Sequence, residues 1–351
     1  MKWGEFKLID VFYVKNTKTV LSRDIIESSG SIPYLCASEK NNAVSSFVSY
    51  YDEYLEKGNC IFIGGKTFVV TYQEKDFYSN DSHNLVLYLK NEEKRDKTHQ
   101  LFLADCVCKS IGHKYSWGDS ISNGKIQTDI ITLPINNDEI DYEFMESFII
   151  EIEAERIAVL EEYLLSAGLI DYTLTPEEQN ALDNFEKLKW KFFNLENLFG
   201  KSIRGKRLKS EDRILGTLPF VTAGEADEGV SSFVGNDIIV FSENTTTIDM
   251  FGSAKYRNYK YGGDDHIAVV HTENLPKFAS IFVTTAIHKS SNNGQFNYGR
   301  NFYAKDADVL TILLPVINQE PDYATMETLV SAIHKLVIKD VILYVQRKLH
   351  K

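Results

Sequence analysis

The sequence predicts an α+β fold in which two similar α/β domains are joined and spaced by long helices that form an antiparallel coiled coil. Three observations support this fold. The length of 351 residues suits two domains, the chain repeats itself, and each repeat ends in a long helical pattern. Hydrophobic residues make up 43% of the chain and aromatic residues 12%, so we expect folded domains and not a disordered chain.

The repeat is clearest where Ser31–Val48 aligns with Thr217–Val234 without gaps. Eight of these 18 positions are identical, and others exchange Ile for Leu or Tyr for Phe. Matched groups occur in the same order along the two halves: Lys2-Trp3 with Lys189-Trp190, Tyr78…Asp81…His83 with Tyr261…Asp264…His266, Tyr115-Ser-Trp117-Gly118 with Phe296-Asn-Tyr298-Gly299, Leu133-Pro134 with Leu314-Pro315, and Asp141-Tyr142 with Asp322-Tyr323. The order and spacing indicate a tandem duplication.

The duplication sets the predicted boundaries. These are a first domain at 1–140, a central helical spacer at 141–188, a second domain at 189–321 and a C-terminal spacer helix at 322–351. Within the domains, short runs rich in β-branched and aromatic residues predict strands at 59–63, 84–89, 237–241 and 266–270. Helices are expected at 99–110 and 275–289.

The spacer helices have start and stop signals. Asp141 and Asp322 are expected to be N-caps, Gly168 to end the first helix, and Thr175-Pro176 to begin a short second one. Apolar residues recur every three or four positions and predict packing of the helices on each other or on a partner subunit: Tyr142, Met145, Ile149, Ile152, Tyr323, Met326, Val330 and Ile333. The alternative is that these residues pack on their own domains.

The negative charge is concentrated in the central segment. Residues 136–188 contain two Lys or Arg and fifteen Asp or Glu, whereas the net charge of the whole chain is -12. The rest of the chain is therefore close to neutral and can still present a basic face to phosphates. The acids of the central helix include Glu151, Glu153, Glu155, Glu161 and Glu162; such a run most often marks a solvated helix face.

Catalytic motifs are weak. Gly64-Gly65-Lys66-Thr67 resembles the end of a phosphate-binding loop, but the glycine required five positions before Gly65 is Cys60. His83 and His266 each follow an acid by two residues, which suits a structural hydrogen bond better than a catalytic base. Cys106 and Cys108 stand too close together in sequence to hold one metal ion easily with His113. We therefore predict no catalytic residue and no metal site.

The chain resembles the specificity subunits of type I and type IIB-like restriction–modification systems. The resemblance rests on Leu133-Pro134…Asp141-Tyr142-Glu143-Phe144-Met145-Glu146, on the spacer from Leu160 to Gln179, and on Leu314-Pro315…Asp322-Tyr323…Met326-Glu327. It implies two target-recognition domains that each read half of a split, asymmetric site in double-stranded DNA. It also implies DNA methyltransferase partner subunits, which restriction subunits can join. S-adenosylmethionine and Mg²⁺ would then belong to those partners, with no cofactor in this chain.

Candidate DNA contacts follow from charge and side-chain chemistry, because phosphates attract Lys and Arg while base edges suit Arg, Lys, Asn and Gln. In the first domain they are Lys15, Lys18, Arg23, Lys66, Tyr72, Asn80, Lys114, Tyr115, Asn123 and Lys125. In the second they are Arg204, Lys206, Arg207, Lys209, Asn244, Thr245, Lys255, Tyr256, Arg257, Asn293, Gln295 and Arg300.

Two other functions stay open at this point: an enzyme that uses Lys66 and the histidines, and a scaffold that binds protein instead of DNA. Since no run of about 18 uncharged apolar residues occurs, we expect no membrane span and a cytoplasmic protein.

Overall fold

The computed structural model describes residues 1–349 and divides into two compact units, Met1–Leu160 and Glu161–Lys351. The last two residues of the predicted C-terminal helix, 350 and 351, lie outside the described residues. Within residues 1–349 no helix is long and apolar enough to cross a lipid bilayer.

Both halves mix short strands with helices. The helices and strands of the first half are β1 (Lys2–Lys7), α1 (Leu8–Val11), β2 (Phe12–Asn16), β3 (Ile32–Leu35), β4 (Val44–Val48), β5 (Cys60–Ile63), β6 (Val70–Gln73), β7 (Tyr78–Ser79), β8 (Leu85–Leu89), α2 (Lys97–Ile111), α3 (Asn123–Ile126), β9 (Ile130–Asn136), β10 (Glu139–Ile140) and α4 (Tyr142–Ser166).

The second half follows the same order after a short connecting helix. Its elements are α5 (Pro176–Asp183), β11 (Trp190–Asn194), α6 (Leu195–Phe199), β12 (Ile203–Arg204), β13 (Leu215–Val221), β14 (Val230–Val234), β15 (Thr245–Asp249), β16 (Ala254–Arg257), β17 (Gly262–Gly263), β18 (Ile267–Val270), α7 (Lys277–Ser291), α8 (Ala304–Val309), β19 (Thr311–Ile317), β20 (Glu320–Pro321) and α9 (Tyr323–Leu349).

The sheets confirm the duplication. A four-stranded antiparallel sheet in the order β2-β8-β5-β6 has its counterpart in β12-β18-β15-β16. The sheet β4-β3-β7, in which β3 and β7 are parallel, has its counterpart in β14-β13-β17. The first and last strands of each domain also pair, in the sheets β1-β9-β10 and β11-β19-β20. The two domains therefore share one topology.

Each domain has its own hydrophobic core, formed where the long helix covers the four-stranded sheet. In the first domain Leu103 and Val107 of α2 are buried with Ile61 and Leu87 of the sheet. In the second, Val283 and Ile287 of α7 are buried with Ile248. An aromatic stack is repeated as well: the rings of Trp3 and Phe102 lie 6.4 Å apart, and those of Trp190 and Phe282 lie 6.3 Å apart.

One predicted strand is wrong. Residues 237–241 form only an isolated bridge between Phe241 and Tyr261, and Ile239 and Val240 are each 52% exposed. The strand of that region is β15, which is rich in buried threonine. Its hydroxyls are satisfied internally: the hydroxyl oxygens of Thr246 and Thr284, for example, lie 2.6 Å apart. The predicted strands at 59–63, 84–89 and 266–270 and both predicted domain helices are confirmed.

The helix boundary signals act as predicted. The carboxylates of Asp141 and Asp322 accept hydrogen bonds from the backbone N–H of Phe144 (2.9 Å) and Thr325 (3.0 Å). Gly168, with φ +67°, follows the end of α4 in a left-handed conformation that suits glycine.

Part of the apolar stripe belongs to the domain cores. Met145 and Met326 are completely buried, each in the core of its own domain, and Tyr142, Ile149 and Tyr323 pack against the same cores. For these five residues the structure favours the alternative, packing within the domain. Val330 is half-buried, whereas Ile152 and Ile333 are exposed on their helices. The packing of α4 on α9 stays a prediction.

Candidate nucleic-acid interface

The Gly64-Gly65-Lys66-Thr67 loop connects two antiparallel strands, since Ile63 of β5 pairs with Val70 of β6. A phosphate-binding loop of the type considered above leads into a helix, whose N-terminal N–H groups hold the phosphate. The loop instead packs on residues 80–84: the N–H of Gly65 donates to the Asn84 amide oxygen at 2.9 Å. A Cβ at Gly65 would lie 2.3 Å from the carbonyl oxygen of His83. The loop is a tightly packed turn that leaves Lys66 exposed.

Several polar segments meet beside this turn. The amide nitrogen of Asn16 donates to the carbonyl of Ser82 at 2.8 Å, and that of Asn123 donates to the Asn16 side chain at 3.1 Å. The ammonium of Lys66 lies 4.0 Å from the carboxylate of Asp81. We call residues 16, 64–67, 80–84 and 115–125 the first edge. It brings together five predicted contacts: Lys66, Asn80, Tyr115, Asn123 and Lys125.

Asp81 and His83 form a local turn within the first edge. One carboxylate oxygen of Asp81 accepts hydrogen bonds from the backbone N–H of His83 at 2.9 Å and lies 2.7 Å from its ring nitrogen Nδ1. Burial raises the pKa of Asp81, but these hydrogen bonds outweigh that effect and lower it. This geometry matches the structural hydrogen bond that the sequence favoured for His83.

The second domain has an equivalent surface. The turn between β15 and β16, Met250-Phe-Gly-Ser253, is the counterpart of the Lys66 turn. The N–H of Phe302 donates to the carbonyl of Met250 at 2.8 Å. The Arg204 guanidinium lies 5.4 Å from the centre of the Tyr303 ring, and the Lys305 ammonium lies 5.9 Å from it. We call residues 204, 250–253, 264–266 and 297–305 the second edge.

The tyrosines of the matched Tyr-x-x-Asp-x-His groups are not structural equivalents. Tyr78 pairs with Tyr34, whereas the counterpart of Tyr34, Phe220, pairs with Gly262. The first-domain loop after this pair is one residue longer, because Leu85 and Ala268, which pair with the equivalent residues Ile63 and Ile248, follow Tyr78 and Gly262 by seven and six positions. The equivalence inferred from sequence is therefore wrong for the tyrosines, whereas Asp81 and Asp264 are equivalent in that their carbonyls accept from the N–H of Asn84 and Ile267.

Asp264, Asp265 and His266 are the group within residues 1–349 whose ligand atoms lie close enough, within 4.8 Å, to hold a metal ion. The guanidinium of Arg204 already pairs with Asp265 at 3.2 Å. In the first domain, burial raises the pKa of the Cys106 thiol to about 12, while Cys108 is exposed. A protonated thiol is a poor metal ligand.

Three candidate contacts, Tyr72, Asn244 and Tyr256, take part instead in a Tyr–Asn hydrogen bond that occurs in both domains. Asn59 and Asn244 each precede a central strand with positive φ, 51° and 60°. The hydroxyl of Tyr72 donates to the Asn59 side-chain oxygen at 3.2 Å, and that of Tyr256 donates to Asn244 at 2.9 Å. Their side chains hold the start of the strand, so the structure does not support DNA contacts by Tyr72, Asn244 or Tyr256.

Three other candidate DNA contacts are buried or largely covered. Arg257 is 1% exposed, and its guanidinium donates to the Thr247 hydroxyl and the Tyr259 hydroxyl, both at 3.0 Å. Thr245 is equally buried. Lys255 is largely covered and pairs with Glu225 at 3.2 Å. A DNA contact by these residues would require the domain interior to open.

The other candidates lie on or near the surface. Lys15 lies on β2 opposite Val86 of β8, and Arg204 lies on β12 opposite Ala268 of β18. Lys114 and Tyr115 both bind the buried carboxylate of Asp129, at 3.0 and 2.5 Å. The remaining candidates are exposed: Lys18, Arg23, Lys206, Arg207, Lys209, Asn293, Gln295 and Arg300. Of these, only Arg300 lies within either edge as defined.

Two residues that the sequence reasoning left out of the contact set are the most exposed aromatics of the edges. Trp117 is 77% exposed and Tyr298 is 86% exposed. Each lies at the tip of a two-residue turn, closed by the backbone bridges Ser116–Asp119 and Asn297–Arg300. The repeated aromatic-Gly pair was the sequence signal that could have identified them.

The fold and its two edges define a class of protein with a duplicated domain, in which each copy presents a similar polar surface with different side chains. The family model of the type I restriction modification DNA specificity domain matches residues 1–162 and 187–344, so the chain belongs to this family. The chain is 21% identical over 336 residues to the type II restriction enzyme BgcI specificity subunit S.BcgI of Heyndrickxia coagulans, with 93% of each chain covered.

A solved structure shares the fold. The S subunit of a type I restriction–modification system from M. genitalium is 15% identical, with a TM-score of 0.62 over 99% of this chain and 92% of that one. Together with the family match, this makes the chain a specificity subunit of a restriction–modification system. Its role is DNA target recognition and not catalysis.

Proposed function

We propose that each domain reads one half of a split, asymmetric site in double-stranded DNA through its edge. One observation supports this proposal: two domains of the same topology present chemically different surfaces. The first edge offers Lys66 and Asn123, and Ser116 of its turn is replaced by Asn297 at the equivalent position of the second edge. Because base edges are distinguished by the hydrogen-bonding groups placed against them, different side chains on equivalent positions suit two different half-sites.

The surrounding cations suit the phosphate backbone. Lys15 precedes Asn16 of the first edge on β2, and Arg204 lies on β12 within the second edge. Within the described part of the chain, Arg300 and Lys305 contact aromatic rings and form no salt bridge. Their charge is therefore available to phosphates, which position a protein on the duplex without specifying sequence.

The chain would direct partner subunits to the DNA site that it recognises. We propose that DNA methyltransferase subunits bind it, that restriction subunits can join them, and that S-adenosylmethionine and Mg²⁺ are bound by those partners. The complex would act in the cytoplasm, where the DNA is.

The helices α4 and α9 would set the gap between the half-sites. With 25 and 27 residues, they would measure about 38 and 40 Å at 1.5 Å per residue, comparable to the roughly 34 Å of one turn of DNA. We propose that they pack antiparallel and that the acidic face of α4 keeps them away from the phosphates. Replacing Glu151, Glu155 and Glu162 by Gln should then increase non-specific DNA binding or weaken partner binding; no change in either would contradict the role of this face.

The test is co-expression with the candidate methyltransferase subunit, followed by mapping of methylated bases across the host genome. We expect one split, asymmetric motif that disappears when this chain is omitted. Replacing residues 1–135 with those of a relative should change one half of the motif, and replacing residues 189–320 should change the other.

Two results would contradict the proposal. Methylation that is the same with and without the chain would exclude a role in target selection. A chain that co-purifies with the methyltransferase but leaves the complex indifferent to duplex DNA would favour a scaffold that binds protein.

A further inference from the structure

The exposed aromatic tips are an unexplained feature of both edges. Leaving a large aromatic side chain in water forgoes the free energy of its burial, yet both domains place one at the same turn. The neighbouring turn residues differ, because Ser116 and Asp119 of the first domain correspond to Asn297 and Arg300 of the second. The aromatic ring and the glycine after it are what the two turns share.

The residue two positions before each exposed aromatic side chain is packed on its own domain. In the first domain Tyr115 stacks on Phe68 at 5.3 Å and donates its hydroxyl to Asp129. In the second domain Phe296 is buried and meets Phe302 edge-on at 4.9 Å. The bases of the turns are therefore held by the domain core, while the tips project. A side chain held in place before binding loses little conformational freedom when it meets a ligand.

The surroundings of the tips are polar and basic. Arg300 follows Tyr298 by two residues, and Tyr303 and Lys305 lie near it in one surface pocket. Lys125 pairs with Asp119 of the first turn. Cations beside a projecting aromatic ring match a nucleic acid, in which phosphates flank stacked bases; a protein-binding aromatic would more commonly stand in an apolar patch.

We propose that Trp117 and Tyr298 are wedges that insert at a base step of their respective half-sites and partly unstack it. This inference rests on the proposed function, because it assigns a mode of contact to the same two edges. It adds a role in deforming the DNA to the hydrogen-bonding role of the neighbouring polar side chains.

The test uses the complex of the full chain with its methyltransferase and a labelled duplex that carries the mapped site. The variants are Trp117→Ala and Tyr298→Ala, with Trp117→Phe and Tyr298→Phe as conservative partners. Phe192→Ala is the matched control, since Phe192 is a 66% exposed aromatic on β11, outside the second edge. Stacking on a base contributes about 1–3 kcal/mol, so we expect each Ala variant to bind roughly tenfold more weakly, and the Phe variants and the control to bind within about threefold of the unaltered complex.

A second measurement reports the wedge directly. When 2-aminopurine is placed at successive positions of the site, its fluorescence should rise at one step in each half on binding, because unstacking relieves its quenching. Trp117→Ala should abolish the rise in one half only, and Tyr298→Ala in the other.

The possible failures are distinguishable. If the unaltered complex selects its site but the Ala variants bind and unstack as well as it does, the wedge is wrong and the proposed function stands. If the unaltered complex selects no site, the proposed function fails. If an Ala variant loses the methyltransferase during purification, the tip is a protein contact and the wedge is again wrong.

Discussion

Glu178 connects the segment between the two domains to the C-terminal helix of the second unit. It is 5% exposed, and one of its carboxylate oxygens accepts a hydrogen bond from the Ser331 hydroxyl at 2.6 Å. The other accepts from the backbone N–H of Thr175 at 2.8 Å and from the Lys335 ammonium at 3.0 Å. The same carboxylate thus completes the capping box of α5 and ties α5 to α9.

Glu178→Ala removes all three hydrogen bonds. Loss of a capping interaction lowers stability by about 1 kcal/mol, and hydrogen bonds to a charged group contribute about 1.5–3 kcal/mol each. Lys335 keeps Asp171 at 3.2 Å and the carbonyl of Thr173 at 3.0 Å, so its ammonium is not left unpaired. Because contributions within one hydrogen-bond network are not additive, we expect the free energy of unfolding of the second unit to fall by about 3 kcal/mol, less than the sum of these terms and equivalent to about 6–12 °C in Tm.

The assay is thermal and urea unfolding of the full chain. In a background that carries Trp3→Phe and Trp117→Phe, the emission of Trp190 reports the second unit. Glu177→Ala, an exposed acid in the same first turn, is the matched control and should change stability by no more than about 0.5 kcal/mol. Equal effects of the two substitutions would refute the assignment.

The pH dependence has a defined sign. Burial raises the pKa of Glu178, but the hydrogen bonds from Ser331, Thr175 and Lys335 outweigh it, so the folded-state pKa lies below its ordinary value of 4.5. A lowered pKa stabilises the fold above the unfolded-state pKa, and this contribution disappears as the pH falls through the folded-state pKa. The stability difference between the unaltered chain and Glu178→Ala should therefore be constant near neutral pH and shrink below about pH 4.5. A difference that grows on acidification would contradict the role of the carboxylate.

Three further predictions concern the cores and the second edge. Tyr256→Phe removes the hydrogen bond to Asn244 and should destabilise the second unit by about 1 kcal/mol in urea unfolding without changing the methylated motif; an altered motif would return Tyr256 to the contact set. Met145→Ala leaves a cavity in the first core and should lower the unfolding free energy by about 2–5 kcal/mol, and an effect below 1 kcal/mol would show that the side chain is not packed there. Arg300→Ala should weaken duplex binding by the complex to a similar extent on all sequences and reduce the slope of log K against log salt by about 1, whereas a loss confined to one base pair would indicate a base contact.

The features that could be predicted from the sequence are those set by local patterns. The caps at Asp141 and Asp322 and the stop at Gly168 depend on residues within one helical turn. The duplication is visible because the apolar and turn positions of both halves must fit the same frame.

The features that could not be predicted depend on residues distant in sequence. Three consecutive threonines in β15 read as polar, and their burial depends on hydroxyl partners as far away as Thr284. Arg257 carries the charge expected of a DNA contact, but Thr247 and Tyr259 hold its guanidinium inside the domain. One additional residue in one loop was enough to shift the apparent match between Tyr78 and Tyr261.

The pairing of the first and last strands of each domain bears on how this protein can evolve. Lys2 lies opposite Ile135 and Trp190 lies opposite Pro315, so the two ends of each domain lie side by side at one place on its surface. The two points at which such a domain connects to the rest of the chain are therefore neighbours, and we call them its joints. Genetic exchange at those joints could replace all of the recognition loops in one event and leave the helix that follows intact. A new DNA sequence preference could then arise in a single step, without passing through a series of weakened intermediates.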